Sequence, residues 1–386
     1  MPWKESRAVD ERMRFIVACD EGDESFAELC RQFEISRKTG YKWLERYEQG
    51  GPGGLLDRPS AARSHPQRVP DAVADLFVHA RKQHGSWGPK KLRAFVAEQK
   101  PELVLPAAST IGELLKKRGL IRPQRRRLRV PLHPNPLAGC SRPNELWCAD
   151  FKGHFGLGDR RRCHPLTITD QYSRYLLKCE GMHEPKGLGV REHFDLAFRE
   201  FGLPERMRTD NGPPFASVGL GGLTDLSVWW IKLGILPERI EPGRPEQNGQ
   251  HERMHLTLKQ EATSPACATL SEQQRVFDRF RHEFNDERPH EALAQKTPAK
   301  VYVTSARSYP QGLREPGYGE DFLVRRTDEK GRLQRKKKKL VIARCLGHEP
   351  IGLRLLDDDR WELFYGPVLL GILDERLPEA RILRAT

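Results

Sequence analysis

Apolar residues in the first 50 positions recur at intervals of three and four, which is the spacing of one helix face. Phe15, Ile16 and Cys19 fall on one side of a first predicted helix. Ser25 and Glu28 have the spacing of a capping box, which predicts that a second helix begins there. The pattern therefore predicts a compact helical unit over residues 1–56.

A third helix is predicted to begin near Ser36 and to end before the glycine-rich stretch at residues 50–54. With the second helix it resembles a DNA-binding helix-turn-helix, whose later helix enters the major groove. Its exposed basic residues would then face DNA: Arg37, Lys38 and Lys42. An ordinary three-helix bundle without a DNA-binding role fits the same periodicity.

Helical periodicity returns after a linker rich in proline, serine and arginine, with apolar positions that include Val73 and Leu92. Ser109 and Thr110 are candidate caps for a further helix. These signals predict a second helical unit over residues 70–130, consistent with another helix-turn-helix.

A run of basic residues closes this second unit. Residues 116–129 contain eight Lys or Arg and no acidic residue. Such a run is commonly a solvated tail, but between two domains of a basic chain it can equally lie along a phosphate backbone. The DNA contacts expected in it are Arg125, Arg126 and Arg127.

Between about residue 145 and residue 300 the pattern changes to short apolar runs that alternate with longer amphipathic segments, which predicts an α/β core. The predicted strands are residues 146–152, 164–169, 175–179 and 206–209, and the predicted helices are residues 190–201 and 247–261. Residues 320–386 contain short β-rich runs between turn residues, which fit a small barrel or sandwich.

The C-terminal module carries a strongly basic segment. Residues 325–344 hold ten basic and two acidic side chains, with Lys336 and Lys337 in the densest part. An edge strand kept soluble by lysines and a nucleic-acid-binding face explain this segment equally well.

Composition narrows the class of protein. At 386 residues the chain is long enough for two to four domains, and its formal charge of +13 favours a polyanionic partner. No apolar stretch approaches the ~18 residues that span a bilayer, so we expect a soluble, intracellular protein.

The eight cysteines are scattered and are expected to be reduced thiols. A zinc site has one irregular candidate set: Cys163, His164, Cys179 and His183.

Three acidic residues are the candidate catalytic groups, and each lies in a distinctive local sequence. These sequences are Trp147-Cys148-Ala149-Asp150, Thr209-Asp210-Asn211-Gly212 and Asn248-Gly249-Gln250-His251-Glu252-Arg253. Asp150 falls within an apolar strand, where an unpaired charge is costly unless a cation binds nearby. Asp210 follows a strand directly, and Glu252 lies on a predicted helix.

Carboxylates from separate elements suit Mg²⁺ or Mn²⁺, which prefer oxygen ligands and keep several waters. Lys259 lies seven positions after Glu252, two turns along the same helix face, where it would reach a DNA phosphate. Taken singly, Glu252 and Lys259 are also typical of a solvated helix face.

In this order the three sequences resemble the catalytic core of retroviral integrases and of related bacterial insertion-sequence transposases. The resemblance covers residues 145–300 and extends more loosely to the helix-turn-helix front end and the β module. It implies a multidomain α/β protein with a ribonuclease-H-like core, in which Asp150, Asp210 and Glu252 hold two Mg²⁺ or Mn²⁺ ions.

The resemblance also implies a function. It predicts a DNA transposase that binds the inverted-repeat ends of a mobile element, frees 3′-hydroxyls and joins them to target double-stranded DNA. A homo-oligomer on DNA is expected because two ends must be joined together. The expected location is the bacterial cytoplasm, in association with the nucleoid.

Two features depart from the retroviral pattern. Asp210 and Glu252 lie 42 positions apart, a longer interval than is usual there, and the excess is expected at residues 219–224. No His/Cys zinc module opens the chain, so the front end resembles that of the bacterial transposases.

Glu246 is a rival third carboxylate, but it precedes the Asn248-Gly249 pair that begins the helix in family members.

Two other functions stay open from the sequence. One is a sequence-specific DNA-binding protein whose core has lost activity, although the complete acidic triad argues against it. The other is a nuclease that cuts without joining. It would use the same metal ligands and would differ only in whether the freed 3′-hydroxyl is reused.

Overall fold

A computed structural model describes residues 8–57, 69–121, 139–186, 188–241, 247, 249–335, 338–357, 359–376 and 381–383. The chain divides into two compact units, Met1–Arg68 and Val69–Thr386. Across the described ranges, every helix is too short or too polar to cross a lipid bilayer.

The N-terminal unit contains three helices around a small apolar core. The helices are α1 (Ala8–Glu21), α2 (Phe26–Gln32) and α3 (Arg37–Gly50), and a short 3-10 helix follows at Gly51–Leu55. Serine caps mark the start of two helices. The Ser25 hydroxyl accepts a hydrogen bond from the Glu28 backbone amide, and the Ser36 hydroxyl accepts one from the Thr39 backbone amide. Phe15, Leu29, Trp43 and Leu55 are among the side chains buried between the helices.

Gly40 allows α3 to approach α1 and α2 closely. A Cβ atom at this position would lie 2.8 Å from Cys30 Sγ and 3.0 Å from ring carbons of Phe15 and Phe26. All three neighbours belong to the core of this unit, so they have little room to move.

We expect Gly40→Ala to destabilise the N-terminal unit by roughly 1 kcal/mol or more, because overpacking outweighs the higher helix propensity of alanine. Amide hydrogen exchange over residues 8–57 of the full chain would report the loss of protection. Gly50→Ala is the matched control, since a Cβ there meets no atom within 4 Å. Unchanged protection in Gly40→Ala would show that the helix crossing is looser than this packing indicates.

The second unit begins with three helices: α4 (Asp71–Gln83), α5 (Pro89–Gln99) and α6 (Ala108–Lys117). They pack around Phe77, Trp87, Leu92 and Ile111, all of which are buried. The predicted cap at Ser109-Thr110 is wrong, because Ala107 is the residue that precedes the helix and both polar residues lie inside its first turn.

A mixed β-sheet forms the centre of the second unit. Its strands are β1 (Leu146–Phe151), β2 (Phe155–Gly156), β3 (Arg162–Asp170), β4 (Leu176–Met182), β5 (Arg206–Thr209) and β6 (Leu236–Arg239). Strand β1 pairs antiparallel with β3 and parallel with β5, while β4 adds to β3 and β6 to β5. The parallel pairing of β1 and β5 sends both carboxyl ends to the same edge of the sheet.

Helices cover both faces of this sheet. They are α7 (Leu188–Phe201), α8 (Asp225–Lys232), α9 (Gly249–Ala262) and α10 (Leu270–His282). On one face Trp147 packs with Phe198 of α7 and Trp230 of α8. On the other face, side chains of β3 and β4 pack against Leu258 of α9 and Phe277 of α10. Successive side chains along a strand point to opposite faces of the sheet, so the sheet packs against two separate apolar layers.

The C-terminal module contains β7 (Phe322–Arg326), β8 (Arg332–Arg335), β9 (Lys338–Val341), β10 (Pro350–Asp357), β11 (Arg360–Tyr365), β12 (Val368–Asp374) and β13 (Arg381–Leu383). Five strands form an antiparallel sheet in the order β13, β12, β11, β10, β7, while β8 and β9 pair with each other. In the described ranges this sheet is open at both edges, so the predicted closed barrel is not confirmed.

The module shares a core with the preceding part of the second unit. Val228 and Ile231 of α8 pack with Leu353 and Leu370 of the C-terminal sheet. The expected insertion at residues 219–224 lies at this boundary, where a Cβ on Gly221 would meet Leu370 at 2.7 Å. The longer interval between Asp210 and Glu252 therefore contains a segment that contacts the β module.

Candidate active site

Asp150 lies near the end of β1, at the edge of the sheet. Its neighbours Trp147 and Ala149 enter the core on one face, and strand alternation turns Asp150 toward the opposite face, which α9 covers. The register places Asp150 across from Thr167 of β3. The Asp150 side chain is only 18% exposed, so its position on an apolar strand leaves the carboxylate largely buried.

Asp210 follows the last residue of β5 and so lies at the same edge of the sheet as Asp150. The turn after it is held by Asn211, whose side-chain amide donates to the Ile240 carbonyl at 2.7 Å. Burial raises the pKa of Asp210, although a hydrogen bond from the Gly212 backbone amide opposes the shift. Its Oδ1 atom is buried and has no hydrogen-bond partner among the described residues.

Glu252 is in the first turn of α9 and is exposed. It acts electrostatically on the buried aspartate: burial, and then the negative charges of Asp210 and Glu252, raise the pKa of Asp150 to about 7. Lys152 and a backbone hydrogen bond from Phe151 lower it only in part. The fold therefore brings Asp210 and Glu252 within electrostatic reach of Asp150.

This donor set fits a divalent cation. Asp150 is largely buried and Asp210 is partly buried, the charge of Asp210 disfavours the charge of Asp150, and Asp210 Oδ1 lacks a donor within the described chain. Each residue comes from a different element. Among the described residues, the oxygens of Asp150, Asp210 and Glu252 do not all lie within 4.8 Å of one another. A small cation with oxygen ligands, such as Mg²⁺ or Mn²⁺, would offset the repulsion and satisfy the orphaned oxygen.

Two buried histidines on α9 complete the surroundings of Asp150, and the sequence reasoning did not assign them a role. His255 Nδ1 lies 3.8 Å from Asp150 Oδ2. Burial lowers the pKa of His251 to about 3, and burial followed by the charges of His251 and Lys152 lowers the pKa of His255 to about 2. Both rings are therefore neutral at physiological pH.

Asp150, His251 and His255 each offer a potential ligand atom, and these atoms lie within 4.8 Å of one another. In the part of the chain that the structure describes, this is the one such cluster. The alternative zinc set at Cys163, His164, Cys179 and His183 is thus not gathered into a site. The signal for the histidines was available in the sequence, because residues four apart on a helix share a face.

The predicted DNA contacts fall in several places. Lys259 is exposed on α9, the same helix as Glu252. Arg37, Lys38 and Lys42 are exposed on α3, where a recognition helix would present them. Five predicted contacts lie outside the described residues: Arg125, Arg126, Arg127, Lys336 and Lys337. The rival carboxylate Glu246 also lies outside them.

Family comparisons match the same modules. Two family models described as an integrase core domain match residues 141–245 and 233–298. A helix-turn-helix domain model matches residues 11–63, and a homeodomain-like domain model matches residues 39–115. The first two ranges contain Asp150, Asp210 and Glu252, and the third contains α2, α3 and most of α1.

Similar proteins occur in bacterial insertion elements. An uncharacterized 31.7 kDa protein of insertion element IS407 from Burkholderia multivorans is 28% identical over 237 residues, covering 61% of this chain and 82% of that protein. An uncharacterized 39.2 kDa protein of insertion element IS476 from Xanthomonas euvesicatoria is 27% identical over 237 residues, covering 61% of this chain and 66% of that protein.

Among solved structures, a chain of the simian T-cell lymphotropic virus intasome in complex with PP2A regulatory subunit B56 gamma aligns with 77% of this chain and 97% of its own length. Its sequence identity is 14% and the TM-score is 0.37. The predicted helix-turn-helix front end and ribonuclease-H-like α/β core are confirmed by the family matches and the mixed sheet. Integrase core domains, a helix-turn-helix domain and insertion-element relatives together support membership of the DDE transposase and integrase superfamily.

Proposed function

We propose that this protein is a DNA transposase. It would bind the inverted-repeat ends of its own mobile element, cleave to free a 3′-hydroxyl at each end, and join those hydroxyls to target DNA. The observation that carries this proposal is the proximity of Asp210 and Glu252 to Asp150, since their charges add to burial in raising the pKa of Asp150 to about 7. A site that only stabilised the fold would gain nothing from such repulsion.

In this proposal Asp150, Asp210 and Glu252 hold two divalent cations by their carboxylate oxygens. When bound, such ions lower the pKa of the attacking oxygen and stabilise the leaving oxygen of a phosphodiester. Asp150 must lose its proton to act as a ligand, so acidic pH should oppose cation binding. Lys259, exposed on the same helix as Glu252, would hold a DNA phosphate and orient the strand for in-line attack.

The helical modules would supply recognition of the element ends. Helix α3 presents exposed basic residues of the kind that contact a DNA backbone and bases in a major groove. Both ends of the element must be held at once for joining to one target. We therefore propose a homo-oligomer assembled on DNA, with the number of subunits set by that assembly.

The test is a strand-transfer assay with labelled DNA from the ends of the encoding element, a target plasmid, and Mg²⁺ or Mn²⁺. Joined products that require the cation are expected of a transposase. Cleavage without joining would replace this proposal with that of a nuclease. Tight end binding without either reaction would identify a DNA-binding protein whose core is inactive.

Neutralising Lys38 or Lys42 is expected to weaken binding to element ends and to lower the slope of log affinity against log salt concentration by about one for each lost phosphate contact. Fluorescence anisotropy over a salt series would measure both quantities. Arg14→Ala is the matched control, because Arg14 is exposed on α1 and already pairs with Glu11 at 3.1 Å. Equal slopes for the Lys38, Lys42 and Arg14 variants would show that α3 does not contact the DNA.

The same measurement applies to the basic run that precedes the core. Neutralising Arg125, Arg126 and Arg127 together is expected to weaken binding and to flatten the salt dependence further, because three charges that release counterions are lost. Unaltered affinity and slope would indicate the solvated tail instead.

A further inference from the structure

His255 is buried against the central sheet, beside the candidate catalytic carboxylate of Asp150. It is 6% exposed and projects from α9 toward β1 and β3. Its Nε2 atom lies 2.7 Å from Thr167 Oγ1, and its Nδ1 atom lies 3.8 Å from Asp150 Oδ2. The ring therefore has one edge on a threonine hydroxyl and the other on the carboxylate.

The proton on this ring can be placed by counting hydrogens. The Thr167 hydroxyl has one hydrogen, and it donates that hydrogen to the Asp150 backbone carbonyl at 3.1 Å. Thr167 Oγ1 also lies 2.7 Å from Nε2 of His251 and 2.7 Å from Nε2 of His255. Because the hydroxyl has no second hydrogen to give, both imidazoles must donate to it. A neutral His255 is thus protonated on Nε2 and has a free lone pair on Nδ1.

His251 differs from His255 in one decisive respect. Its Nε2 donates to Thr167, and its Nδ1 lies 3.0 Å from Thr169 Oγ1, whose single hydrogen is within reach of this nitrogen and of the Cys148 carbonyl at 3.5 Å. Both ring nitrogens of His251 are therefore engaged with threonine hydroxyls. Nδ1 of His255 is the nitrogen whose lone pair faces Asp150.

The distance between His255 Nδ1 and Asp150 Oδ2 suits a shared cation. Two atoms that each lie about 2.1 Å from one ion are separated by roughly 3.0 Å when they are at right angles and by about 4.2 Å when they are opposite. The observed 3.8 Å between His255 Nδ1 and Asp150 Oδ2 falls within this interval. It is too long for a hydrogen bond between the same atoms.

We propose that His255 Nδ1 is a nitrogen ligand of the divalent cation bound at Asp150. This inference rests on the proposed function for the presence of that cation, and it adds an imidazole to the carboxylate ligands. Thr167 is a positioning residue, since its hydrogen bond with Nε2 fixes the tautomer and the orientation of the His255 ring. A nitrogen ligand favours Mn²⁺, Co²⁺ or Zn²⁺ over Mg²⁺, which prefers oxygen.

The direct test is pulsed electron paramagnetic resonance of the untagged full chain loaded with less than one equivalent of Mn²⁺, in the absence of DNA. A ¹⁴N coupling from a directly bound imidazole is expected in the wild type. The coupling should be lost in Asp150→Asn, which removes the shared site, and in His255→Asn. Mn²⁺ affinity should fall at least about tenfold in His255→Asn, whereas Mg²⁺ affinity should change by less than about threefold.

His251→Asn is the matched control, because this histidine is buried on the same helix and both of its nitrogens are hydrogen bonded. It is expected to retain the ¹⁴N coupling. Mn²⁺ bound to the wild type without the coupling would overturn the inference, and this result does not depend on whether any variant folds. Loss of the coupling in His251→Asn alone would also overturn it.

The readout separates this inference from the proposed function. A wild-type chain that joins DNA but shows no ¹⁴N coupling would retain the transposase function and refute the nitrogen ligand. A chain that shows the coupling but does not join DNA would retain the ligand and refute the transposase function.

Discussion

Replacing Glu252 by glutamine, or Asp150 by asparagine, is expected to slow DNA joining by roughly 10³-fold or more. Each change removes a carboxylate ligand, and bound metal ions contribute several kcal/mol of transition-state stabilisation, with about 1.4 kcal/mol for each tenfold in rate. Affinity for element ends should stay within about twofold, because the expected recognition residues lie on other helices. Joining of a pre-cleaved labelled end and anisotropy binding on the same preparations would measure both effects.

Glu192→Gln provides the control for charge removal, since Glu192 is an exposed glutamate on α7. It should join DNA at the wild-type rate. Wild-type turnover in Glu252→Gln would show that another carboxylate completes the site, and Glu246 would then become the leading candidate.

In metal-free buffer at pH 8, Asp150→Asn is expected to be more stable than the wild type, although it is inactive. The folded pKa of Asp150 is raised from 3.8 to about 7, so the folded state holds this proton more tightly than the unfolded chain does. The contribution of this proton to the free energy of unfolding is fully present below about pH 4 and is lost as the pH rises through 7. At pH 8, removing the buried charge should therefore raise the free energy of unfolding above that of the wild type by an amount on the order of a few kcal/mol.

Thermal unfolding in a chelator at pH 5 and pH 8 would test this expectation. The advantage of Asp150→Asn over the wild type should be larger at pH 8, and Mg²⁺ should stabilise the wild type more than the variant. Asp195→Asn is the control, because the pKa of Asp195 is lowered by a hydrogen bond from Arg199 in spite of burial, and this variant should gain no stability. Destabilisation of Asp150→Asn at pH 8 would mean that the Asp150 charge supports the fold.

Much of the core could be predicted from the sequence because its signals are local. Strand β5 was predicted at its observed bounds, Arg206–Thr209, since it is short and ends in a turn. Helix α7 and strand β1 were predicted to within two residues, because amphipathic periodicity and an apolar run each mark one element. The three acidic sequences then predicted the candidate carboxylates, and the observed strand pairing places Asp150 and Asp210 at one edge of the sheet.

The elements that were missed have weak or misleading local signals. Helix α8 (Asp225–Lys232) has buried side chains on nearly every side, so it shows no polar face to reveal a helical period. Strand β6 is short and contains Pro237, which argues against a strand. Barrel closure depends on pairing between strands that are distant in sequence, and the runs near Phe322 and Trp361 could not specify that pairing.

The histidines at the candidate site were missed for a different reason. His251 and His255 have the spacing of one helix face, but that face alone does not reveal what it contacts. Their partners Thr167 and Thr169 lie on β3, more than 80 positions away in sequence. The pairing of Asp150 with Thr167 across β1 and β3 places the carboxylate beside these rings, and only the folded sheet supplies that register.

The most direct test of the cation site is a metal-rescue measurement at the scissile phosphate. A labelled element end would carry sulfur in place of one non-bridging oxygen, as separate diastereomers, and cleavage by the wild type would be followed with Mg²⁺ and with Mn²⁺. At least one diastereomer is expected to react slowly with Mg²⁺ and to recover with the softer Mn²⁺, because a cation held by Asp150, Asp210 and Glu252 contacts that atom. Equal rates for oxygen and sulfur substrates with both ions would contradict a metal-bound phosphate at this site.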